Sequence, residues 1–139
     1  MKKLPQSDNS LLLRTDFADD AAWTALCEAV RVPSEDGFQA GVDCISDPAF
    51  DGLTIEQLIA LAAQSGHYSF VFIVDRLALT DPEMPVLVVD LYDEPGRTFR
   101  VIPGEMWGVE NNLSIANMDY AEFAENADPD GVFRGFPRT

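Results

Sequence analysis

Apolar positions along the first half of the chain follow strand and helix patterns in turn. Three leucines at residues 11–13 predict a first, interior strand. Apolar residues then recur every three or four positions, as on one face of a helix that Asp19 and Asp20 begin and Pro33 ends. That face consists of Trp23, Leu26, Cys27 and Val30. Residues 38–44 alternate between apolar and polar or small side chains, which predicts a half-buried strand.

The next helix has the clearest boundary signals. Thr54 and Gln57 have the spacing of a capping box, Leu53 and Leu58 that of a hydrophobic staple, and Gly66 is a left-handed stop. Residues 70–74 are continuously apolar, as in a central strand that is covered on both faces.

The second half predicts a hairpin and then helices. Residues 86–92 and 98–102 are strands joined by the turn at 93–96, which favours an antiparallel pair. Apolar residues after Pro103 predict a helix, residues 113–117 are either a short strand or simply extended, and residues 132–136 fold back. Asp119 and Glu122 have the spacing of a second capping box, and Met118 and Phe123 that of a second hydrophobic staple. They predict a last helix that extends to about Ala127.

The order β-α-β-α-β, then a β-hairpin, then C-terminal helices predicts an α/β (α+β) fold. We expect a single-domain sandwich with a mixed sheet and helices packed on it. Residues 1–10 are expected to form a flexible N-terminal tail, and residues 11–139 the domain.

Composition adds a strongly negative surface. The 139 residues carry a formal charge of −15, and residues 32–75 and 101–133 each contain seven acids and no Lys or Arg. This charge disfavours nucleic-acid binding, because phosphates are neutralised by Lys and Arg. The sequence lacks an apolar run that suggests a membrane span or secretory signal, and it is interpreted as cytoplasmic. Cys27 and Cys44 are interpreted as free thiols rather than a disulfide.

Three aspartates suggest one candidate chemistry. Asp16, Asp75 and Asp90 fall at or near the ends of predicted strands, where an open α/β sheet binds ligands and where carboxylates could hold Mg²⁺. The pattern resembles a phospho-accepting receiver domain, but the Lys that such a domain needs on a later strand is missing. The alternative is that these aspartates cap helices and turns. No cofactor is predicted, because His67 with two separated cysteines makes no standard zinc set and nucleotide-binding motifs are absent.

The segment after Pro103 suggests a second candidate, a partner-binding surface. Trp107 is followed by a pair of amides, Asn111 and Asn112, and is flanked by Glu105 and Glu110. Trp is over-represented at interface hot spots, so these five residues could contact a partner. Alternatively, Trp107 belongs to the core and the amides cap the end of a helix.

Three segments carry a resemblance to a known family. They are residues 11–17 running into Trp23, residues 72–76 and, most specifically, residues 105–120. Together they resemble a small acidic domain family of unknown function, found mostly in actinobacteria, over residues 11–136. The resemblance implies the extent of the domain but no catalytic residues.

These observations favour a non-enzymatic interaction domain over an enzyme. An acidic face attracts basic partners and speeds their encounter, as in immunity proteins and antitoxins that neutralise cationic toxins. We therefore predict a basic protein partner. The alternative is a divalent-metal-dependent enzyme or ligand sensor that uses the strand-end aspartates.

Overall fold

The computed structural model describes residues 3–65 and 68–136. Gly66 and His67, which the sequence analysis singled out, lie outside the described residues. The strands are β1 (Ser10–Arg14), β2 (Val42–Ile45), β3 (Phe70–Val74), β4 (Val86–Asp90), β5 (Thr98–Val101) and β6 (Val132–Phe133). The helices are α1 (Asp20–Arg31), α2 (Ile55–Ser65), α3 (Arg76–Thr80), α4 (Met106–Ser114) and α5 (Tyr120–Ala124).

The strands form one mixed sheet in the order β2-β1-β3-β4-β5-β6. β1 is parallel to β2 and β3, β4 is antiparallel to both β3 and β5, and β6 is parallel to β5. The predicted mixed sheet, the antiparallel hairpin and the α+β class are therefore confirmed. Within the described ranges, no helix is long and apolar enough to cross a membrane.

Helices cover both faces of the sheet because the central strands are apolar on both sides. β1 shows the alternation: Leu12 packs on the face that carries α1, α3, α4 and α5, whereas Leu11 and Leu13 pack on the face that carries α2. All three leucines are fully buried. Burying a leucine side chain contributes about 2 kcal/mol, so these runs account for the position of the sheet at the centre of the domain.

The structure differs from the local sequence predictions at four places. The alternating residues 38–41 precede β2 instead of belonging to it, because Ser34 N–H donates to Phe38 O at 2.8 Å and closes a loop. Residues 113–117 are neither strand nor extended: α4 continues to Ser114, and Ala116, at φ 55°, turns the chain away. α3 was not predicted. The last helix ends at Ala124 rather than near Ala127, and the Asp119 side chain makes no capping bond.

The segment before β1, predicted to be a flexible tail, contacts the sheet. Leu4 is only 3% exposed and packs with the α2-side core. Pro5 O accepts a hydrogen bond of 2.6 Å from the Tyr68 hydroxyl, and Ser10 begins β1. The packed part of the chain therefore begins before residue 11.

The capping box of α2 is present and gives a first testable prediction. Thr54 Oγ1 accepts from Gln57 N–H at 3.1 Å, and Thr54 N–H donates to Gln57 Oε1 at 2.9 Å. Thr54→Ala should lower the free energy of unfolding by about 1 kcal/mol, because it removes the side-chain acceptor at a helix N-terminus. Urea denaturation measures this loss. Thr24→Ala, on the exposed face of α1, is the matched control and should be close to neutral; equal losses in both variants would contradict the capping role.

Candidate partner-binding groove

The amino ends of the parallel strands meet at one edge of the sheet. Ser10, Val42 and Phe70 begin β1, β2 and β3, and Asp90 lies at the same edge because β4 runs antiparallel and pairs Asp90 with Phe70. Two adjoining cavities of about 420 and 300 Å³ open along this edge. They share three lining residues, Ser69, Phe70 and Ser114, so we treat them as one amino-edge groove.

The lining of the amino-edge groove is acidic. It contains five carboxylates and, among the described residues, neither Lys nor Arg. The carboxylates belong to Asp8, Asp90, Asp93, Glu110 and Asp119. Cavities of this size are typical of ligand and anchor-residue sites, and an acidic lining favours cationic over anionic groups.

Glu110 is the buried carboxylate of the groove. Glu110 is only 6% exposed, and its side chain reaches from α4 to Ser10 at the start of β1 and to Gly41 just before β2. Gly41 N–H donates to its Oε1 at 2.6 Å, and Ser10 Oγ donates to its Oε2 at 3.0 Å; Ser114 Oγ also donates to Oε2. Three donors replace the water that a buried carboxylate loses, so Glu110 fixes α4 against the sheet.

Asp8 is held at the rim of the larger cavity by its neighbours. Ser7 Oγ and Asn9 Nδ2 both donate to Asp43 on β2, the second at 3.1 Å. These hydrogen bonds lower the pKa of Asp43. The Asp8 side chain forms no such bond within residues 3–65 and 68–136, and Asp8 lines the cavity.

Asp90 shapes the other end of the groove. Its two oxygens accept from the backbone N–H groups of Tyr92 and Glu94, each at 2.9 Å, and so close the turn between β4 and β5. This turn presents Tyr92, which is 77% exposed, and the carboxylate of Asp93. Tyr120 lines the same cavity, and its hydroxyl lies 2.8 Å from the carbonyl oxygens of Val88 and Arg97. Burial raises the pKa of the Tyr120 hydroxyl.

Trp107 stacks on Phe38 beside the groove. The ring centroids are 5.2 Å apart with an interplanar angle of 13°, and neither residue belongs to either core cluster. We call these two rings the aromatic platform. Asn111 links it to the groove, because its Nδ2 donates to Gln39 O at 3.1 Å and to Trp107 O at 2.6 Å, and Asn111 also lines the larger cavity.

The structure separates the five residues predicted to bind a partner. Glu110 and Asn111 line the groove, and Trp107 lies beside it. Asn112 instead holds the end of α4, donating to Gly108 O at 2.7 Å and accepting from Asn117 Nδ2 at 2.8 Å. Glu105, at the opposite end of α4, faces Gly135.

The three aspartates predicted as a metal site lie at two different edges. Asp16 and Asp75 follow the adjacent parallel strands β1 and β3, whereas Asp90 is at the amino edge. Asp16 accepts from Ala18 N–H at 3.0 Å, and Asp75 caps α3 by accepting from Ala78 N–H at 3.2 Å. No cluster of three or more His, Cys, Asp or Glu that could hold a metal ion occurs in the described parts of the chain.

Asp75 also pairs with an arginine. Arg100 Nη1 and Nη2 donate to its two carboxylate oxygens at 2.9 and 2.7 Å. Burial acts to raise the pKa of Asp75, but the hydrogen bonds and charge of Arg100, with the Ala78 N–H, outweigh it, so the pKa is lowered. Arg100 therefore neutralises the negative charge of Asp75 at the carboxyl end of β3.

Four residues of the site were not identified from the sequence. Asp8 lay in the predicted tail, Phe38 in a predicted strand, Asp93 in a turn and Asp119 in a capping box. The exposure of Phe38, 51%, could have been suspected from its position directly after Gly37 at the end of an acidic turn. Cys27 and Cys44 are free thiols, as predicted.

Comparison with known proteins identifies the family. A family model described as "Domain of unknown function (DUF6924)" matches residues 9–136, and the chain therefore belongs to that family. No curated protein is similar enough to count as a match. The extent of this match agrees with the extent inferred from the sequence resemblance.

Gly41 gives a prediction about the construction of the groove. A Cβ at this position would lie 3.0 Å from Glu110 Oε1. Gly41→Ala should therefore lower the free energy of unfolding by about 1–3 kcal/mol, because Glu110 must shift away from its donors. Gly108→Ala is the control, since a Cβ there meets nothing within 4 Å and alanine favours a helix. Gly108→Ala should leave the free energy of unfolding unchanged or raise it in the same denaturation assay. A Gly41→Ala variant as stable as the wild type would show that the close approach of Gly41 to Glu110 does not limit the side chain at this position.

The Asp75–Arg100 pair gives a prediction of pH dependence. The pKa of Asp75 is lowered in the folded protein, so its contribution is present above the unfolded value, about 3.9, and is lost as the pH falls through the folded value. Asp75→Asn should cost about 1–3 kcal/mol at neutral pH, and the difference from wild type should shrink in acid.

Denaturation of both proteins at neutral pH and below pH ~3.9 measures this difference. Asp51→Asn is the control because Asp51 is exposed and forms no ion pair in the described chain; it should change the free energy of unfolding by less than about 0.5 kcal/mol. A constant difference for Asp75→Asn across the pH range would show that charge does not stabilise this pair.

Proposed function

We propose that this member of the DUF6924 family is a non-enzymatic interaction domain that binds a basic protein partner in the amino-edge groove. Immunity proteins and antitoxins that neutralise cationic toxins work on the same electrostatic principle. The observation that carries the proposal is the lining of the groove, in which five carboxylates occur without a Lys or Arg among the described residues. Within the described parts of the chain, Asp8, Asp93 and Asp119 make no side-chain hydrogen bond or ion pair, so they are available to a partner.

The positions of the arginines support this choice of surface. Arg14 pairs with Asp20 at 2.8 Å and Arg100 with Asp75 at 2.7 Å, both toward the carboxyl ends of the parallel strands. Arg134 is shared by three carboxylates at 2.7–2.8 Å. Arg97, whose guanidinium lies 6.0 Å from the Tyr120 ring at the groove, pairs with Glu94 at 2.9 Å. These four arginines are therefore paired with acids other than Asp8, Asp93 and Asp119.

Exposed apolar side chains flank the acidic lining. Tyr92 is 77% exposed and Ile115 74% exposed, and each lines one of the two cavities. Exposed aromatic and aliphatic anchors beside charged groups are typical of interfaces, where the charges guide encounter and the apolar contacts supply affinity.

The internal hydrogen bonds of the groove favour binding over catalysis. The oxygens of Glu110 and Asp90 accept from protein donors, and the Tyr120 hydroxyl lies against two carbonyls. The hydrogen bonds of Glu110, Asp90 and Tyr120 therefore stabilise the structure of the groove. The two free thiols support a cytoplasmic location, where such thiols stay reduced.

Charge removal within the groove tests the proposal. The probe is a synthetic peptide in which lysine alternates with serine, and its affinity is measured by calorimetry over a range of salt concentrations. The triple variant Asp8→Asn, Asp93→Asn, Asp119→Asn should bind about tenfold more weakly, since each exposed charge pair contributes up to about 1 kcal/mol. Its dependence on salt should also be smaller.

A triple variant with the same change in net charge is the control. Glu28→Gln, Asp51→Asn and Glu56→Gln replace exposed acids outside the groove and should leave the affinity within about twofold of wild type. Equal losses in the two triple variants would show that only the overall charge attracts the peptide. A wild-type protein that does not bind the peptide at low salt would overturn the proposal.

A further inference from the structure

The aromatic platform leaves apolar ring surface exposed to water. Phe38 is 51% exposed, and its ring lies flat against Trp107, 5.2 Å between centroids. Exposing a large aromatic ring to water costs free energy, and stacking on a half-buried Trp recovers only part of it. The platform therefore has the composition of an interface anchor.

Hydrogen bonds hold the loop that carries Phe38 in one conformation. Phe38 N–H donates to Ser34 Oγ at 3.0 Å, and Gly37, at φ 85°, donates to Ser34 O at 2.9 Å. Gln39 Nε2 donates to Arg31 O at 2.6 Å, and Gln39 O accepts from Asn111. The loop is thus connected to both α1 and α4, so the platform is formed before any partner arrives, and binding need not order it.

The surrounding charges indicate which side chain the platform accepts. Glu35 and Asp36 are exposed in the same loop, and the described residues provide no ion pair for either. Arg31 is the cation nearest in sequence, but the cation–π contacts of the described arginines are with Phe17, Trp23 and Tyr120 instead. Among residues 3–65 and 68–136, no cation therefore stacks on the rings of the aromatic platform or pairs with Glu35 or Asp36.

A guanidinium group fits this combination better than an ammonium group. It is planar, stacks on aromatic faces and can donate to a carboxylate in the same plane, whereas a lysine ammonium is a strongly hydrated point charge. We propose that the aromatic platform binds an arginine side chain of the basic partner, with Glu35 or Asp36 pairing the guanidinium. This inference rests on the proposed function and names one residue type that the partner must present.

Two peptides of equal charge test the inference. They share one sequence and differ only in having arginine or lysine at every basic position. Wild-type protein should bind the arginine peptide about two- to fivefold more tightly than the lysine peptide, the range expected for a cation–π contact at an exposed site. Phe38→Leu removes the aromatic ring while keeping an exposed apolar side chain, and should reduce this ratio to about one.

Phe136→Leu is the matched control. Phe136 is 45% exposed and packs against Phe123 and Phe133, away from the platform. Its substitution should leave the ratio of affinities unchanged. A ratio near one in wild type, an unchanged ratio in Phe38→Leu, or an equal loss in both variants would overturn the arginine site while the proposed function stood. If neither peptide binds, the proposed function itself fails.

Discussion

The buried carboxylate of Glu110 is the interaction on which the amino-edge groove depends. A carboxylate that is 6% exposed carries a desolvation cost, and here hydroxyl donors from β1 and α4 and a backbone donor from the loop before β2 offset it instead of a cation. Because Gly41 N–H is one of these donors, the contact positions the loop before β2 as well as α4. Glu110 thereby holds Ser10 and Gly41, which both line the larger cavity, against α4.

Charge in this domain is segregated by the topology of the sheet. The formal charge of −15 is spread along the chain in two base-free blocks, and their linear order says little about where a partner binds. Folding places Arg14 and Arg100 with their acids toward one edge. At the other edge Arg97 pairs with Glu94, and the described residues provide no ion pair for Asp93 or Asp119. The net charge predicts attraction to basic molecules, whereas the sheet order determines which acidic residues meet at one edge.

The sequence predicted those parts of the fold that depend on local signals. Residues 70–74 and the Thr54 capping box were identified because a continuous apolar run and a four-residue motif contain all the required information. The strand expected at Phe38 was wrong because a loop hydrogen bond, not alternation, decides its conformation. Asp75 meets Arg100 from 25 residues away, and Asp90 lies at the opposite edge only because β4 reverses direction. Pairings of this kind depend on tertiary structure and leave no local pattern.

Under the proposed function, the groove would govern the rate of partner binding and the aromatic platform its selectivity. Unpaired carboxylates act over distances of about a Debye length, so they accelerate the approach of any cationic protein without distinguishing lysine from arginine. A rigid pair of rings acts only in contact and responds to the shape of the cation. Asn111, which lines the groove and also holds the loop of Phe38, couples the two surfaces mechanically, so a partner steered into the groove arrives beside a site that is already formed.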